Sequence, residues 1–445
     1  MNTPQYDSSL TRLMLALNQA FEKYSHHVDP LVIERFAGTI HQVMSARFRR
    51  FHTLEHIFDA TKGLETLPLL AGFFHDVVYY QVDRRIHTLL VPYLGDFSLD
   101  EKTNLCVLPD LESERWLTIA GKVFGFKTGQ TLNPFNGLNE FLSAVAAARI
   151  LGNTLTEWEV IQMIACIEAT IPFRGNSFEP LKNRLIEIIA GKVNEAEITK
   201  AVQAAVSLAN QDICGFYNED FGDFISGTWS LILENNPIFK NPLYTVKEYR
   251  QALQKVRGFL SSLKPEVVVQ EWGGFPSTGD FQKMKDQVRT NLANALLYLD
   301  VNFVVMSLLE GIAEASGGDA PYALFVGEGN KESSKAPIER FLLINQPAPV
   351  KTDFNKVVYQ TLKTGRKDAS SFDFKHSPVA AFIYENLSTE EMTKAIVLAR
   401  EFHEKKIDLN SLLTHFRPEV LNPIIRGVGE VSWSRKEKLQ QLFKV

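Results

Sequence analysis

The sequence predicts an all-α protein in two parts. Three observations carry this expectation. Apolar residues recur at three- and four-residue steps along most of the chain, as they do on amphipathic helices. Helix-start signals stand at the heads of several of those stretches. Strand-like runs are few and short, such as Pro265 to Gln270 and Ala323 to Val326.

The elements follow in order. Ser9 to Tyr24 carries Leu10, Leu13, Leu17 and Phe21 at helical spacing. Asp29-Pro30 opens the next helix, with proline in the first turn, where a backbone N–H has no helical partner anyway. Helices are expected near 53–66, 69–80, 139–151 and 156–170, the last opening with the capping-box pattern Thr156-x-x-Glu159. Further helices are expected at 180–190, 197–218 and 223–234. Asn235-Asn236-Pro237 and Asn241-Pro242 then punctuate the chain and place a domain boundary near 236–244. The expected domains are 1–240 and 241–445. The second is also mainly helical, with helices at 245–263, 281–315, 376–386 and 388–406, the last headed by Ser388-x-x-Glu391. Trp272-Gly273-Gly274-Phe275-Pro276 and Gly317-Gly318-Asp319-Ala320-Pro321 read as loops.

Composition narrows the function classes. A chain of 445 residues has room for two or three domains and needs no disulfide staples. Lys+Arg is 47 and Asp+Glu is 52, a net charge of −5, which speaks against a strongly cationic nucleic-acid binder. At 45% hydrophobic and 22% charged, the chain is not disordered. Cys106, Cys166 and Cys214 form no Cys-x-x-Cys pair, which points to a reducing compartment and away from a cysteine-rich zinc site. The polar start, Met1-Asn2-Thr3-Pro4-Gln5, lacks the pattern of a signal peptide. The apolar run Leu296 to Ile312 carries Asp300, Asn302 and Glu310 and reads as a buried helix, not a membrane span. A soluble, cytoplasmic protein with no membrane partner is expected.

Chemistry concentrates in the first half. His52 and His56 lie four apart in Arg50-Phe51-His52-Thr53-Leu54-Glu55-His56-Ile57, and on a helix they would share a face. Nineteen residues on, His75-Asp76 interrupts the apolar run Phe73-Phe74-His75-Asp76-Val77-Val78-Tyr79. Taken alone, that pair reads equally well as the polar end of a surface helix. In 197–218, a stripe of Ile198, Val202, Ala205, Ala209, Asp212 and Phe216 has Asp212 as its one charged member. A carboxylate on an apolar face needs compensation, and a divalent cation supplies it. An arginine partner, or a ragged helix end before Gly215, would also explain Asp212.

The order His56, His75-Asp76, Asp212 resembles the metal site of the HD-domain superfamily of metal-dependent phosphohydrolases. The local sequences are similar to the Tyr-His-Asn-x-x-His and Phe-His-Asp-x-Val-Tyr signatures of small predicted HD phosphohydrolases. The first also resembles a motif of class I cyclic-nucleotide phosphodiesterases, here Phe51-His52-Thr53-x-x-His56-x-x-Asp59. The resemblance covers roughly 9–235 and implies an HD-like helical bundle. It implies His56, His75, Asp76 and Asp212 as metal ligands, with Asp76 able to bridge to a second ion. It implies His52 as the histidine that donates a proton to the leaving oxygen. The chain departs from the small family after the second motif, where Gln81-Val82-Asp83-Arg84-Arg85-Ile86-His87 replaces an acidic pair. A threonine followed by histidine on a later helix is replaced by Ala169-Thr170-Ile171-Pro172-Phe173-Arg174, and Tyr80 stands where the phosphodiesterases have a further histidine. The longer spacing between Asp76 and Asp212 suggests an insertion over 95–138.

The expected function is hydrolysis of a phosphomonoester or phosphodiester, a nucleotide among the candidates, by a metal-activated water. Two imidazoles and two carboxylates suit Mn, Fe, Co, Ni or Zn better than Mg, with the choice of divalent metal ion left open. Arg49, Arg50, Arg84, Arg85 and Arg174 offer guanidinium forks for phosphate, although a solvated charge is the commoner role for any one of them. The alternative is a catalytically degenerate HD fold that binds a nucleotide or metal and regulates. In the second half, His376, His403 and His415 are scattered and read as structural. Asp300, Arg289, Asn302, Glu310 and Glu314 read as paired, exposed or part of a polar seam between helices. An oligomerisation or substrate-capping role is expected there, and a homo-oligomer is left open.

Overall fold

In a computed structural model, the described residues are 8–23, 27–64, 66–175, 177–240, 243–327, 336–342, 355–366 and 374–442. They are all-α apart from a small three-stranded sheet. The chain forms two compact units. One holds the residues up to Tyr217 together with Lys264–Val288; the other holds Asn218–Leu263 and the residues from Arg289 onward.

The first unit begins with α1 (Ser9–Lys23) and α2 (Pro30–Met44), and the Asp29 side chain caps α2 at the Leu31 N–H. Next come α3 (Leu54–Ala60), α4 (Thr66–Phe74), α5 (Tyr80–Asp83) and α6 (Val91–Leu94). Antiparallel strands β1 (Ser98–Asp100), β2 (Leu105–Val107) and β3 (Thr131–Leu132) follow, with α7 (Arg115–Phe124) between β2 and β3. Leu99 stands opposite Cys106, and Cys106 opposite Leu132, so one sheet face turns to the core while Leu105 and Val107 face solvent. The segment 95–138 is thus largely this sheet and α7.

The core of this unit is built by α8 (Leu138–Leu151), α9 (Glu157–Ala169), α10 (Phe178–Ile189) and α11 (Glu195–Asp212). The Thr156/Glu159 capping box forms as expected. Ten residues of α9 are buried, nearly its whole circumference, which marks it as the central helix. Helices α4, α8 and α11 pack around it. In α8, Ala144, Ala146, Ala147 and Ala148 are fully buried and allow close backbone approach, while each large buried side chain of α4 contributes about 1.5–3 kcal/mol.

The second unit opens with α12 (Phe221–Asn235) and α13 (Val246–Ser262), the latter capped reciprocally by Thr245 and Glu248. The chain then returns to the first unit through α14 (Pro265–Val268). The Asn210 side chain accepts from the Gln270 N–H at 2.7 Å and donates to its carbonyl at 2.8 Å, as a neighbouring strand would. The long helix α15 (Thr278–Ser316) leaves that unit at Val288 and continues in the second. It contains a window apolar enough to cross a membrane, and 78% of that window is buried inside the protein, as in a core helix. Then come α16 (Tyr322–Val326), α17 (Glu339–Leu342), α18 (Lys356–Thr364), α19 (Pro378–Asn386), α20 (Thr389–His403), α21 (Leu409–Thr414), α22 (Pro418–Val431) and α23 (Lys436–Gln440). The Ser388/Glu391 capping box is present on α20.

Two expectations change. The strand-like runs at 265–270 and 323–326 are not strands: α14 and α16 occupy them. Pro265 occupies the first turn of α14, where its fixed φ favours a helix, and this outweighs the β-branched valines that follow. Helices expected over 53–66 and 69–80 are shorter, at Leu54–Ala60 and Thr66–Phe74, so His52 and His75-Asp76 all lie outside regular helix.

Candidate metal centre

The first imidazole pair does not share a helix. Thr53 is extended and serves as the N-cap of α3, so His56 sits in the first turn while His52 precedes the helix. The two rings still meet edge to face, 5.4 Å apart. On its other side, His52 stacks on Tyr79 at 3.8 Å. His75 and Asp76 follow the last residue of α4, yet both are buried, with His75 2% exposed, so this is not a surface helix end. Asp212 is the final residue of α11; Ile198, Val202, Ala205 and Ala209 of its stripe are buried behind it.

Gly72 lets these pieces meet. A Cβ there would lie 2.4 Å from the Thr61 methyl and 3.1 Å from Leu208 of α11, closer than a methyl group tolerates. Its carbonyl also accepts the His75 Nδ1–H at 2.7 Å. A carbonyl carries no proton, so Nδ1 holds one, and Nε2 is left to face Asp212 Oδ1 at 3.0 Å or, in the neutral ring, to offer its lone pair to a cation. Gln211 adds a tie between α11 and α3, donating from Nε2 to the Asp59 carbonyl at 2.9 Å.

The result is a ring of alternating nitrogen and oxygen. His75 Nε2 lies 3.0 Å from both Asp76 Oδ2 and Asp212 Oδ1. His56 Nε2 lies 3.2 Å and 3.1 Å from the same two oxygens. All of these ligand atoms fall within 4.8 Å of one another. His56 Nε2 and Asp76 Oδ2 are buried and make no well-angled hydrogen bond, so they aim at a shared point more than at each other. Four N and O atoms this close together leave room at their middle for an ion with bonds of ~2.0–2.2 Å, as zinc makes to nitrogen and oxygen. His56, His75, Asp76 and Asp212 could therefore hold a metal ion.

Charge supports the same fit. Burial pulls the His56 imidazole down, but the Asp212 and Asp76 carboxylates outweigh it and hold it up at about 9. The same competition, burial against Asp76 and Asp212, leaves His75 well above its ordinary value. Burial opposes ionisation of Asp76 and Asp212, and the His75 charge reverses that, so both carboxyls stay well below the usual range. Without a cation, the acids lean on protons carried by the neighbouring rings, with His52 adding its charge at Asp76. A divalent ion would replace those protons.

No protein family, curated protein or solved structure matches this chain. The centre is read on its own geometry. Its most exposed member is the Asp212 side chain, at 15%, which marks the side open to water.

The arginines divide. Arg49 is buried and pairs with Asp83 at 2.6 Å, and Arg174 pairs with Glu168 at 2.9 Å. Arg84 is exposed and donates to Asn104 Oδ1, while Arg50 and Arg85 are exposed. One residue escaped the sequence reading. Glu140, on the first turn of α8, has a buried Oε2 with no hydrogen-bond partner among the described residues. Burial, with the charges of Asp76 and Asp212 adding, pushes its carboxyl up to about 8. The signal was a lone carboxylate in a helix otherwise apolar on nearly every face.

Proposed function

We propose that the first unit is a metal-dependent phosphohydrolase of the HD-domain type, acting on a phosphomonoester or phosphodiester, with nucleotides among its substrates. The observation that carries this reading is the convergence of His56, His75, Asp76 and Asp212 on one point. A mixed nitrogen and oxygen set favours Mn, Fe, Co, Ni or Zn over Mg. When bound, such an ion supplies an acidified water and a hold on a phosphoryl oxygen. His52 then protonates the leaving oxygen, its ring held by the stack on Tyr79. Substrate enters on the Asp212 side.

A second reading is favoured by one observation: Arg49 and Arg174 are tied to Asp83 and Glu168, which leaves fewer cations for a phosphate. On that reading the centre binds a metal or nucleotide without turnover.

A panel of phosphomonoesters, cyclic nucleotides and nucleotides, assayed with each of several added divalent metals, separates the two. The enzyme reading expects turnover with at least one pair, and a large loss of kcat in His52→Ala with metal retained. Silence across the panel from metal-loaded protein favours the binding protein.

A further inference from the structure

We infer that Arg49 is a positioning residue of this centre, acting through the backbone of Asp76 and locked in place by Asp83. The inference rests on the metal-centre reading above. The Arg49 side chain is fully buried, and it sits in the turn after α2. A buried guanidinium is costly unless paired and hydrogen-bonded. Asp83 provides the charge: Nη2 reaches its Oδ2 at 2.6 Å, and Nε lies 3.2 Å from both carboxylate oxygens. The remaining donors go to main chain and to the Met44 sulfur, 3.1 Å from Nη1. Nη1 donates to the Asp76 carbonyl at 2.6 Å, and Nη2 reaches the Val77 carbonyl at 3.4 Å.

That carbonyl pair needs an outside partner. Helix α4 ends at Phe74, so Asp76 and Val77 lie beyond its hydrogen-bond ladder. The segment they open is gripped from its other side by α8. Ser143 Oγ accepts the Val78 N–H at 3.0 Å, and Asn139 Oδ1 accepts the Tyr80 N–H at 2.9 Å. Arg49 and α8 together fix the peptide that carries the Asp76 carboxylate and adjoins His75. The fork geometry is required here. A lysine could answer Asp83 but, as a point charge, could not span a carboxylate and two carbonyls at once.

A general folding staple would lower stability without selective effect on the metal, and this sets the test. Full-length wild type, Arg49→Lys and Asp83→Asn are titrated calorimetrically with Mn2+ and with Zn2+, alongside thermal melts. Arg257→Lys, which weakens the Asp300 pair of the second unit, serves as the control for lost stability. Loss of such an outer support weakens metal binding by about 10–100-fold. We expect that loss in Arg49→Lys and in Asp83→Asn, with cooperative melting kept, and none in Arg257→Lys. If Arg49→Lys does not fold, Asp83→Asn decides alone. Unchanged affinity in the folded variants overturns the inference and leaves the metal centre standing. Failure of wild type to bind either ion overturns the metal centre, and this inference with it.

Discussion

In the second unit, the buried carboxylates of α15 meet guanidinium groups; in the first, Asp76 and Asp212 meet two imidazoles. Glu310 takes Arg250 at 2.6 Å, both nearly buried. Asp300 takes Arg257, with Nη2 to Oδ2 at 2.9 Å, and Arg400 at 3.3 Å. An arginine keeps its charge at any working pH, so these pairs are complete by themselves. An imidazole ordinarily loses its proton near neutrality. Asp76 and Asp212 therefore have partners that can be neutral lone-pair donors. One arrangement builds structure; the other could hold a metal ion. The second unit's histidines follow the structural pattern. His376 binds Glu339, His403 binds Ser307, and His415 binds the Glu391 carbonyl.

The comparison can be broken at the arginine pairs first. Glu310→Ala strands Arg250 in a buried site and should cost about 3–5 kcal/mol, read as the midpoint shift in a urea melt. Metal content of the folded fraction should not change. A stable Glu310→Ala protein would mean that the pair is not the neutralising contact described.

A smaller effect is expected where packing sets the ring. Gly72→Ala forces a methyl against Thr61 and Leu208 and should cost about 1–3 kcal/mol. Because Gly72 also orients His75, divalent-ion affinity should fall with it in a titration. A Gly72→Ala variant that melted and bound metal as wild type does would remove glycine from the account.

The smallest effect tests the second unit's histidines. Burial, with the Arg250 and Lys247 charges adding, holds His403 down from 6.5 to about 4. Between those values the unfolded chain takes up a proton that the folded chain refuses. The associated stability is thus full above 6.5 and is lost as pH falls toward 4. His403→Gln keeps a partner for Ser307 without the titration, so its melting temperature should fall less steeply over that interval. Identical slopes would contradict the assigned environment.

What the sequence disclosed was mostly local. Capping boxes at Thr156/Glu159 and Ser388/Glu391 are four-residue patterns, and both form. The His/Asp group was legible because His75, Asp76 and Asp212 interrupt apolar stretches and His56 stands four residues from His52. Contacts between distant residues were not. Arg49 reads as one of five candidate phosphate contacts, with a solvated charge the commoner role, because its partner Asp83 is 34 residues away and nothing local pairs them. The Asn210–Gln270 contact that returns 264–288 to the first unit spans 60 residues and leaves no periodic trace. His52 and His56 share a face on a continuous helix, but an extended Thr53 starts the helix at Leu54, after His52, and the rings meet by another route.

The central claim is that the four converging atoms hold a cation. Its most direct test is the divalent-metal content, by plasma mass spectrometry, of wild type, His75→Ala and Asp76→Ala after loading and dialysis. The account predicts stoichiometric metal in wild type and none retained by either variant. Equal metal in all of them would contradict it.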